Sequence, residues 1–237
     1  RFIRLADALK QRNEGDYIFA QDIGLSGAKV FILANKQQFI QQYNDDLRHM
    51  RTSNKPWALN IYEVLTGPCA LYFDIDKTTF EQFFDTLSWI NAHFPTERIR
   101  IFHRQGKTLQ SFHIVGSTTY SSTTALGDHI RQLQPPPTID MAVYTTNRCW
   151  KLPFSRKFGK GQPMLPFGST PSTMDRTTHH DLVDRSSTPH TPRTLPDDSN
   201  ARISTISTIS SVRSWVVGSL SKRSCNRQVD DERYACT

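Results

Sequence analysis

The sequence predicts an α+β domain over residues 1–167, followed by a poorly ordered tail over residues 168–237. Segments with strand-like alternation are interleaved with segments of helical spacing, which is typical of a mixed fold. From residue 168 onward about a third of the residues are Ser or Thr, and large apolar side chains are few. Such a tail buries too little surface to offset the entropy lost on ordering it.

Period-two alternation of apolar side chains predicts the strands. The first two flank a turn at residues 24–27, and a later pair flanks residues 105–107, so each pair is predicted to form a hairpin. The predicted strands are residues 17–20, 29–33, 58–64, 70–76, 98–102, 112–116 and 139–144.

Apolar residues spaced three and four apart predict four helices. The second begins after Asn35, a candidate N-cap whose partner three residues later is Gln38. The last ends before Pro135, the first of three prolines that cannot continue a helix. The predicted helices are residues 1–12, 35 through 43, 79–93 and 122–133.

Composition narrows the classes of function. The formal net charge of +7 favours an anionic partner, with nucleic acid as the first hypothesis. No apolar run approaches the length of a membrane span, so no membrane partner is expected. The four cysteines form no C-x-x-C pair, which argues against a zinc knuckle and favours a reducing intracellular setting. Because the chain begins at Arg1, we interpret it as a fragment, and the lack of a targeting peptide carries little weight.

Asp74 and Asp76 form the most informative pattern in the chain. They follow an apolar run and are two residues apart, so both lie on one strand face while Phe73 and Ile75 point into a core. Adjacent carboxylates repel, and a shared cation is the usual resolution. Mg²⁺ or Mn²⁺ bound in this way keeps positions open for substrate phosphates. An acidic pair that simply ends a strand is the alternative for this motif taken alone.

Ser111 and His113 repeat the same spacing on a second predicted strand. Both side chains then lie on one face and can donate hydrogen bonds to phosphate oxygens. Acyl-transfer chemistry is not indicated, because no orienting acid or oxyanion hole accompanies them. A structural histidine is the alternative for this pair taken alone.

A basic stretch follows Asp140. Between Arg148 and Lys160 there are five basic residues and no acidic one, with Trp150 and Phe154 among them. Basic side chains with apolar backing are expected of a site that holds phosphates. A solvated basic loop is the alternative, above all for Arg156 and Lys160.

In this order, the three groups resemble the three motifs of archaeo-eukaryotic primases. The resemblance is strongest to the eukaryotic primase-polymerase group and to related primases of large DNA viruses. It covers about half the chain, from residue 36 to residue 158. The segments that carry it are residues 71–76, 111–113 and 139–140, a similar stretch at 143–152, and a lysine at 157.

The resemblance implies a primase catalytic fold, in which an RRM-like mixed or antiparallel sheet with flanking helices carries a two-metal site for Mg²⁺ or Mn²⁺. It implies template-directed transfer of nucleotides from NTPs or dNTPs on single-stranded DNA, in replication or damage tolerance. The implied metal ligands and catalytic residues are Asp74, Asp76 and Asp140. The implied nucleotide-binding residues are Ser111, His113, Arg148, Lys151 and Lys157, with Lys107 as a further candidate.

The chain departs from the family pattern at three positions. Asp76 stands where Glu is usual, and Lys151 stands where Arg is usual, so a bidentate donor is lost. The family's lysine two residues before the motif serine is replaced by Leu109, with Lys107 two residues further back.

The resemblance also implies partners, which are a DNA template and primer and a single-stranded DNA-binding protein or a helicase. It further implies a nuclear or mitochondrial location. Two alternatives stay open. One is a non-catalytic DNA-binding module on a primase scaffold, and the other is the primase domain of a viral primase-helicase. A nuclease that uses the same carboxylates is the least favoured, because it has no need of the basic stretch.

Overall fold

The computed structural model describes residues 1–52, 59–106, 108–159, 161–167 and 183, with the backbone alone for residues 50–52. These residues form an α+β structure with two antiparallel sheets and flanking helices. In this part of the chain, no helix is long and apolar enough to cross a membrane. The helices are α1 (Leu5–Lys10), α2 (Lys36–Thr52), α3 (Phe80–His93) and α4 (Thr123–Gln132), with a 3₁₀ turn at Met141–Val143. The strands are β1 (Asp16–Asp22), β2 (Lys29–Asn35), β3 (Ile61–Leu65), β4 (Cys69–Thr78), β5 (Arg100–Arg104), β6 (Gln110–Tyr120), β7 (Arg148–Lys151) and β8 (Leu165–Pro166).

The first sheet has the strand order β2-β1-β3-β7. The hairpin of β1 and β2 confirms the prediction made from the turn at residues 24–27. Strand β7 comes from the basic stretch and pairs with β3, where Glu63 lies opposite Trp150. The pairing brings the basic stretch to the edge of a sheet built from the N-terminal half of the chain.

The second sheet has the order β4-β6-β5-β8 and contains the acidic strand. The predicted hairpin of β5 and β6 is confirmed. Helices α3 and α4 begin with side-chain caps, because Thr79 Oγ1 accepts the Gln82 amide proton and Ser122 Oγ accepts that of Ala125. Their apolar faces join the main core, which is centred on the buried side chains of β4 and β6.

The two sheets meet around three aromatic side chains. Trp150 belongs to the first sheet but lies in the main core, where its ring is 4.7 Å from that of Tyr72 on β4. Tyr144 completes the contact, because its hydroxyl donates to the Tyr72 carbonyl at 2.8 Å. The Tyr72 hydroxyl in turn donates to the Val143 carbonyl at 3.0 Å. This interlock fixes the segment that follows Asp140 against the acidic strand.

The structure corrects two local predictions. Residues 139–144 were predicted to be extended, but only Ile139 forms a β-bridge, to Ile75, and a 3₁₀ turn follows. The turn forms because Asp140 Oδ1 accepts the amide proton of Ala142, an interaction that competes with strand pairing. At the start of α2, Asn35 Oδ1 accepts the amide proton of Gln37 rather than that of Gln38.

The prediction of a poorly ordered tail falls outside the described residues, except at Val183. This side chain is fully buried in the main core. Its amide donates to Glu63 Oε1 at 2.7 Å, and its carbonyl accepts the amide proton of Ala70 at 2.7 Å. At this residue, the chain beyond position 167 is part of the folded structure.

Candidate active site

Strand β4 presents Asp74 and Asp76 on one face, as their spacing predicts. The side chain of Asp74 is 14% exposed and that of Asp76 is 47% exposed. Phe73 and Ile75 point the other way and are fully buried. Ile75 takes part in the bridge to Ile139, so the acidic strand is held on both sides at this point.

The Asp74 carboxylate is a buried charge with an unsatisfied oxygen. Within the described structure, Asp74 Oδ1 has no hydrogen-bond partner. The nearest ring nitrogen of His113 is 3.7 Å away, which is beyond hydrogen-bond distance. Burial, together with the neighbouring charges of Asp76 and Asp140, raises the pKa of Asp74 to about 7. A site of this kind favours either a proton or a metal cation.

Asp140 lies directly beside Asp74. Its amide donates to the Asp74 carbonyl at 2.8 Å, so the backbone holds the two residues together. Its carboxylate caps the 3₁₀ turn through Ala142. Among the described residues, no group of three or more His, Cys, Asp or Glu side chains is arranged to hold a metal ion. The three predicted metal ligands are therefore neighbours, but their side chains do not form a closed ligand set.

Sheet register explains why His113, Ser111 and Arg104 join the acidic pair. His113 lies opposite Asp74 across the β4–β6 ladder. Ser111 is two residues earlier on β6 and lies opposite Arg104 on β5. Side chains in these positions share one face of the sheet. Both Ser111 and His113 are buried, and burial lowers the pKa of His113 well below its usual value, so this imidazole is neutral.

Arg104 is a site residue that the sequence patterns did not reveal. Its guanidinium donates to Ser111 Oγ at 2.8 Å and lies 3.6 Å from Asp76 Oδ1. The hairpin was visible in the sequence, but the register that places residue 104 opposite Ser111 depends on the loop between the strands. The signal that could have found Arg104 was its position just before the predicted turn.

The first sheet supplies the basic side chains. Burial, together with the positive charges of Arg104 and Lys157, lowers the pKa of Lys151 to about 8, while the charge of Asp74 opposes the change. Arg148 acts on the same carboxylate, because its charge lowers the pKa of Asp74. Predicted residues from β7 and from the second sheet are thus within electrostatic range of one another. Lys107 lies outside the described residues.

Trp150 connects the two halves of the site, a role that the sequence patterns did not indicate. Its ring stacks on that of His113, with 4.1 Å between the ring centres. Because Trp150 is on β7 and His113 is on β6, this contact joins the basic edge of one sheet to the acidic face of the other. The stack also restricts the orientation of the His113 ring.

A scan against models of known protein families found no match to this chain, and a search of the curated proteins found none either. The chemistry of the site must therefore be inferred from the side chains themselves. Carboxylates suit a hard divalent cation, and the guanidinium and ammonium groups beside them suit an anion such as a phosphate. Within the described residues, the unsatisfied Asp74 oxygen is the one feature of the carboxylates that calls for a cation, since their side chains do not form a closed ligand set.

Proposed function

We propose that this chain is a metal-dependent nucleotidyltransferase of the primase-polymerase type. It would start or extend a strand on a single-stranded DNA template, using NTPs or dNTPs. The observation that carries the proposal is the buried, unpartnered Asp74 oxygen, which is flanked by two further carboxylates and faces basic side chains from another sheet. The order of the motifs along the chain and their resemblance to primases support the same proposal.

Asp74, Asp76 and Asp140 would hold the Mg²⁺ or Mn²⁺ ions. When bound, such ions neutralise the charge that develops as pyrophosphate leaves. A cation would also offset the burial and the carboxylate repulsion that now raise the pKa of Asp74. Electrostatic relief of this kind is a reason for a metal to bind at this position rather than at an ordinary surface carboxylate pair.

The remaining site residues would bind and orient the triphosphate. Ser111 Oγ already accepts a hydrogen bond from Arg104, which leaves the hydroxyl hydrogen free to donate to a phosphate oxygen. Neutral His113 has one N–H donor, and its ring is held in place by Trp150. Lys151, Arg148 and Lys157 would supply positive charge, with Lys107 as a further candidate. Holding the phosphates in line with an attacking hydroxyl is the main task of a protein in this reaction.

The cellular setting of the proposed enzyme follows from its substrate. A template-directed enzyme needs exposed single strands, so a single-stranded DNA-binding protein or a helicase is the expected partner. Replication or damage tolerance in the nucleus or the mitochondrion is the setting that the primase resemblance suggests. A primase domain that works next to a helicase in a viral protein has the same chemistry.

A non-catalytic DNA-binding module is the second candidate function. The observation that favours it is the carboxylate of Asp140, which caps a turn while the described residues form no closed ligand set for a metal. Such a module would bind single-stranded DNA in a salt-dependent way, without regard to metal or nucleotide.

Primer extension with Mn²⁺ or Mg²⁺ and labelled dNTPs or NTPs on a single-stranded template tests the proposal. The parent chain is compared with Asp74→Ala and Asp76→Ala. Asp85→Ala, an exposed aspartate on α3, is the matched control. We expect metal-dependent extension in the parent and in the control, and a loss of at least a hundredfold in both site variants. Equal extension by the parent and the two site variants would reject the proposal.

DNA binding without extension by the folded parent would favour the non-catalytic module. The two candidates are also separated by nucleotide binding, measured by fluorescence with a labelled dNTP. The polymerase proposal expects that Mn²⁺ strengthens this binding in the parent and not in Asp74→Ala.

A further inference from the structure

Three exposed apolar side chains lie at one tip of the first sheet. Ile23 is 57% exposed, Leu25 is 70% exposed and Phe158 is 43% exposed. Ile23 and Leu25 belong to the turn between β1 and β2, whereas Phe158 follows the basic strand β7. We call these three residues the apolar tip. Single exposed apolar side chains are ordinary, but a group of three from two distant segments indicates an interaction surface.

The tip is held in place by contacts beneath it. The Phe158 amide donates to the buried carboxylate of Asp22 at 3.3 Å, which ties its loop to the end of β1. The same carboxylate accepts a hydrogen bond from the Tyr62 hydroxyl at 2.9 Å and pairs with Lys29. The two segments touch, because a methyl group placed on Gly159 would come within 2.6 Å of Leu25 Cδ2. The apolar tip is therefore a built surface rather than two independent loops.

The charged residues within the two segments that form the apolar tip are positive. Arg156 and Lys157 directly precede Phe158, and there is no acidic residue in residues 23–28 or 155–159. The nearest carboxylate, Asp22, is buried and already paired with Lys29. Exposed aromatic and apolar groups among cations are the combination that binds single-stranded nucleic acid, because bases stack on the rings while the cations contact phosphates.

The chain leads from the candidate active site at Lys151 to the apolar tip at Phe158 within seven residues. Lys157 adjoins Phe158 in the chain, and its charge acts on Lys151, which lies next to the carboxylates. The backbone between them is anchored by two hydrogen bonds: the Leu152 amide donates to the Ile61 carbonyl on β3, and the Arg156 amide donates to the Leu59 carbonyl just before β3. A strand that leaves the active site along these cations would reach Phe158.

We propose that the apolar tip binds the single-stranded DNA template, with a base stacked on Phe158 and packed against Leu25 and Ile23. This inference rests on the proposed function, and it adds where the strand lies outside the reacting centre. A second copy of this chain is a poorer occupant, because two positively charged tips repel. An anionic lipid surface is also a poorer occupant, because lipid binding gives no reason for the apolar tip to follow the candidate active site in the chain.

The test measures the affinity of the full chain for a fluorescent 20-nucleotide single strand by polarisation, at several salt concentrations. Phe158→Ala and Leu25→Ser remove parts of the apolar tip, and Ile3→Ser is the matched control, because Ile3 is exposed elsewhere. We expect about a tenfold loss of affinity for Phe158→Ala, the size expected for one stacked base, and no change for the control. Arg156→Ala should reduce the salt dependence by about one phosphate contact.

Unchanged DNA affinity in folded Phe158→Ala and Leu25→Ser would overturn the proposal. A shift from dimer to monomer in these variants, with DNA affinity intact, would instead assign the tip to self-association. Loss of binding to vesicles of phosphatidylserine and phosphatidylcholine, again with DNA affinity intact, would assign it to a lipid surface. The result is separable from the proposed function, because DNA affinity at the apolar tip is measured without metal or nucleotide, whereas the proposed function is tested by the loss of extension in Asp74→Ala.

Discussion

The two sheets make different contributions to the candidate active site. The second sheet supplies the carboxylates of Asp74 and Asp76, and the first supplies Arg148 and Lys151. The charged form of each group is disfavoured, mainly by burial: the pKa of Asp74 is raised to about 7 and that of Lys151 is lowered to about 8. Each charge also partly offsets the shift of the other. The site therefore depends on the contact between the sheets.

Trp150→Ala should produce the largest change, because it removes the side chain that joins the sheets. The ring is buried against His113 and Tyr72. Truncating a buried tryptophan typically costs about 3–5 kcal/mol in the free energy of unfolding. Urea denaturation followed by circular dichroism measures the loss.

Trp89→Ala is the control for that experiment, since Trp89 is only partly buried on α3. We expect a clearly smaller loss in the control. Equal losses in the two variants would mean that the contact between the sheets contributes nothing beyond ordinary burial.

In the presence of a chelator, the free energy of unfolding of the parent should fall between pH 4 and 7, and Asp74→Asn should remove this fall. The pKa of Asp74 is about 7 in the folded protein, above its ordinary value of 3.8. Between pH 4 and 7 the unfolded chain has lost a proton that the folded chain retains, so the free energy of unfolding falls as pH rises through this window. Above pH 7 no further change arises from this group.

The expected fall is about 3 kcal/mol, because each tenfold change in proton affinity is worth about 1.4 kcal/mol and part of the effect is shared with the neighbouring carboxylates. His113 acts in the opposite direction, since its lowered pKa makes stability rise with pH up to about its ordinary value of 6.5. The difference between Asp74→Asn and the parent isolates the carboxylate. If the free energies of unfolding of the parent and Asp74→Asn changed in parallel from pH 4 to 8, Asp74 would not be a buried carboxyl group with a raised pKa.

Local patterns predicted the acidic half of the site better than the basic half. Alternation along one strand was sufficient to place Asp74 and Asp76 on the same face, because the strand period is a property of the backbone. Arg104 was missed because its contact with Ser111 depends on hairpin register. Trp150 was predicted only as apolar backing for the basic stretch, and its contacts with His113 and Tyr72 were not predicted because no local pattern encodes a contact with another sheet.

The tail illustrates the same limit. Its composition predicted poor order over residues 168–237, of which the structure describes Val183 alone, buried and hydrogen-bonded to the Glu63 carboxylate on β3 and the Ala70 amide on β4. One apolar side chain in a polar segment gives no statistical signal. Its burial depends on partners at Glu63 and Ala70, which are more than 100 residues away in the chain.

Val183→Ala should reduce stability by about 2 kcal/mol, because two buried carbon groups are removed at about 0.8 kcal/mol each together with the cavity they leave. Val30→Ala is the control, since Val30 is half-buried on the edge strand β2. Chemical denaturation compares the two variants. A smaller loss for Val183 than for Val30 would show that the tail contributes little to the second sheet and its contacts.

Arg104→Ala should produce the smallest change, a slight increase in the affinity for Mn²⁺. The Arg104 guanidinium is 3.6 Å from Asp76 Oδ1 and competes with a metal for the same carboxylate. Both side chains are partly exposed, and such ion pairs are worth at most about 1 kcal/mol, so the gain in Mn²⁺ affinity should be about threefold. Titration of free Mn²⁺ by electron paramagnetic resonance, without nucleotide, measures it.

Arg131→Ala is the matched control, because Arg131 pairs with Asp128 on the surface of α4 and should leave the affinity unchanged. A fall in Mn²⁺ affinity in Arg104→Ala would reverse the interpretation. Arg104 would then organise the carboxylates through Ser111 instead of competing with the metal. The sign of this small change thus decides whether the positive charge on the second sheet opposes the metal or prepares its site, a distinction that the larger effects cannot make.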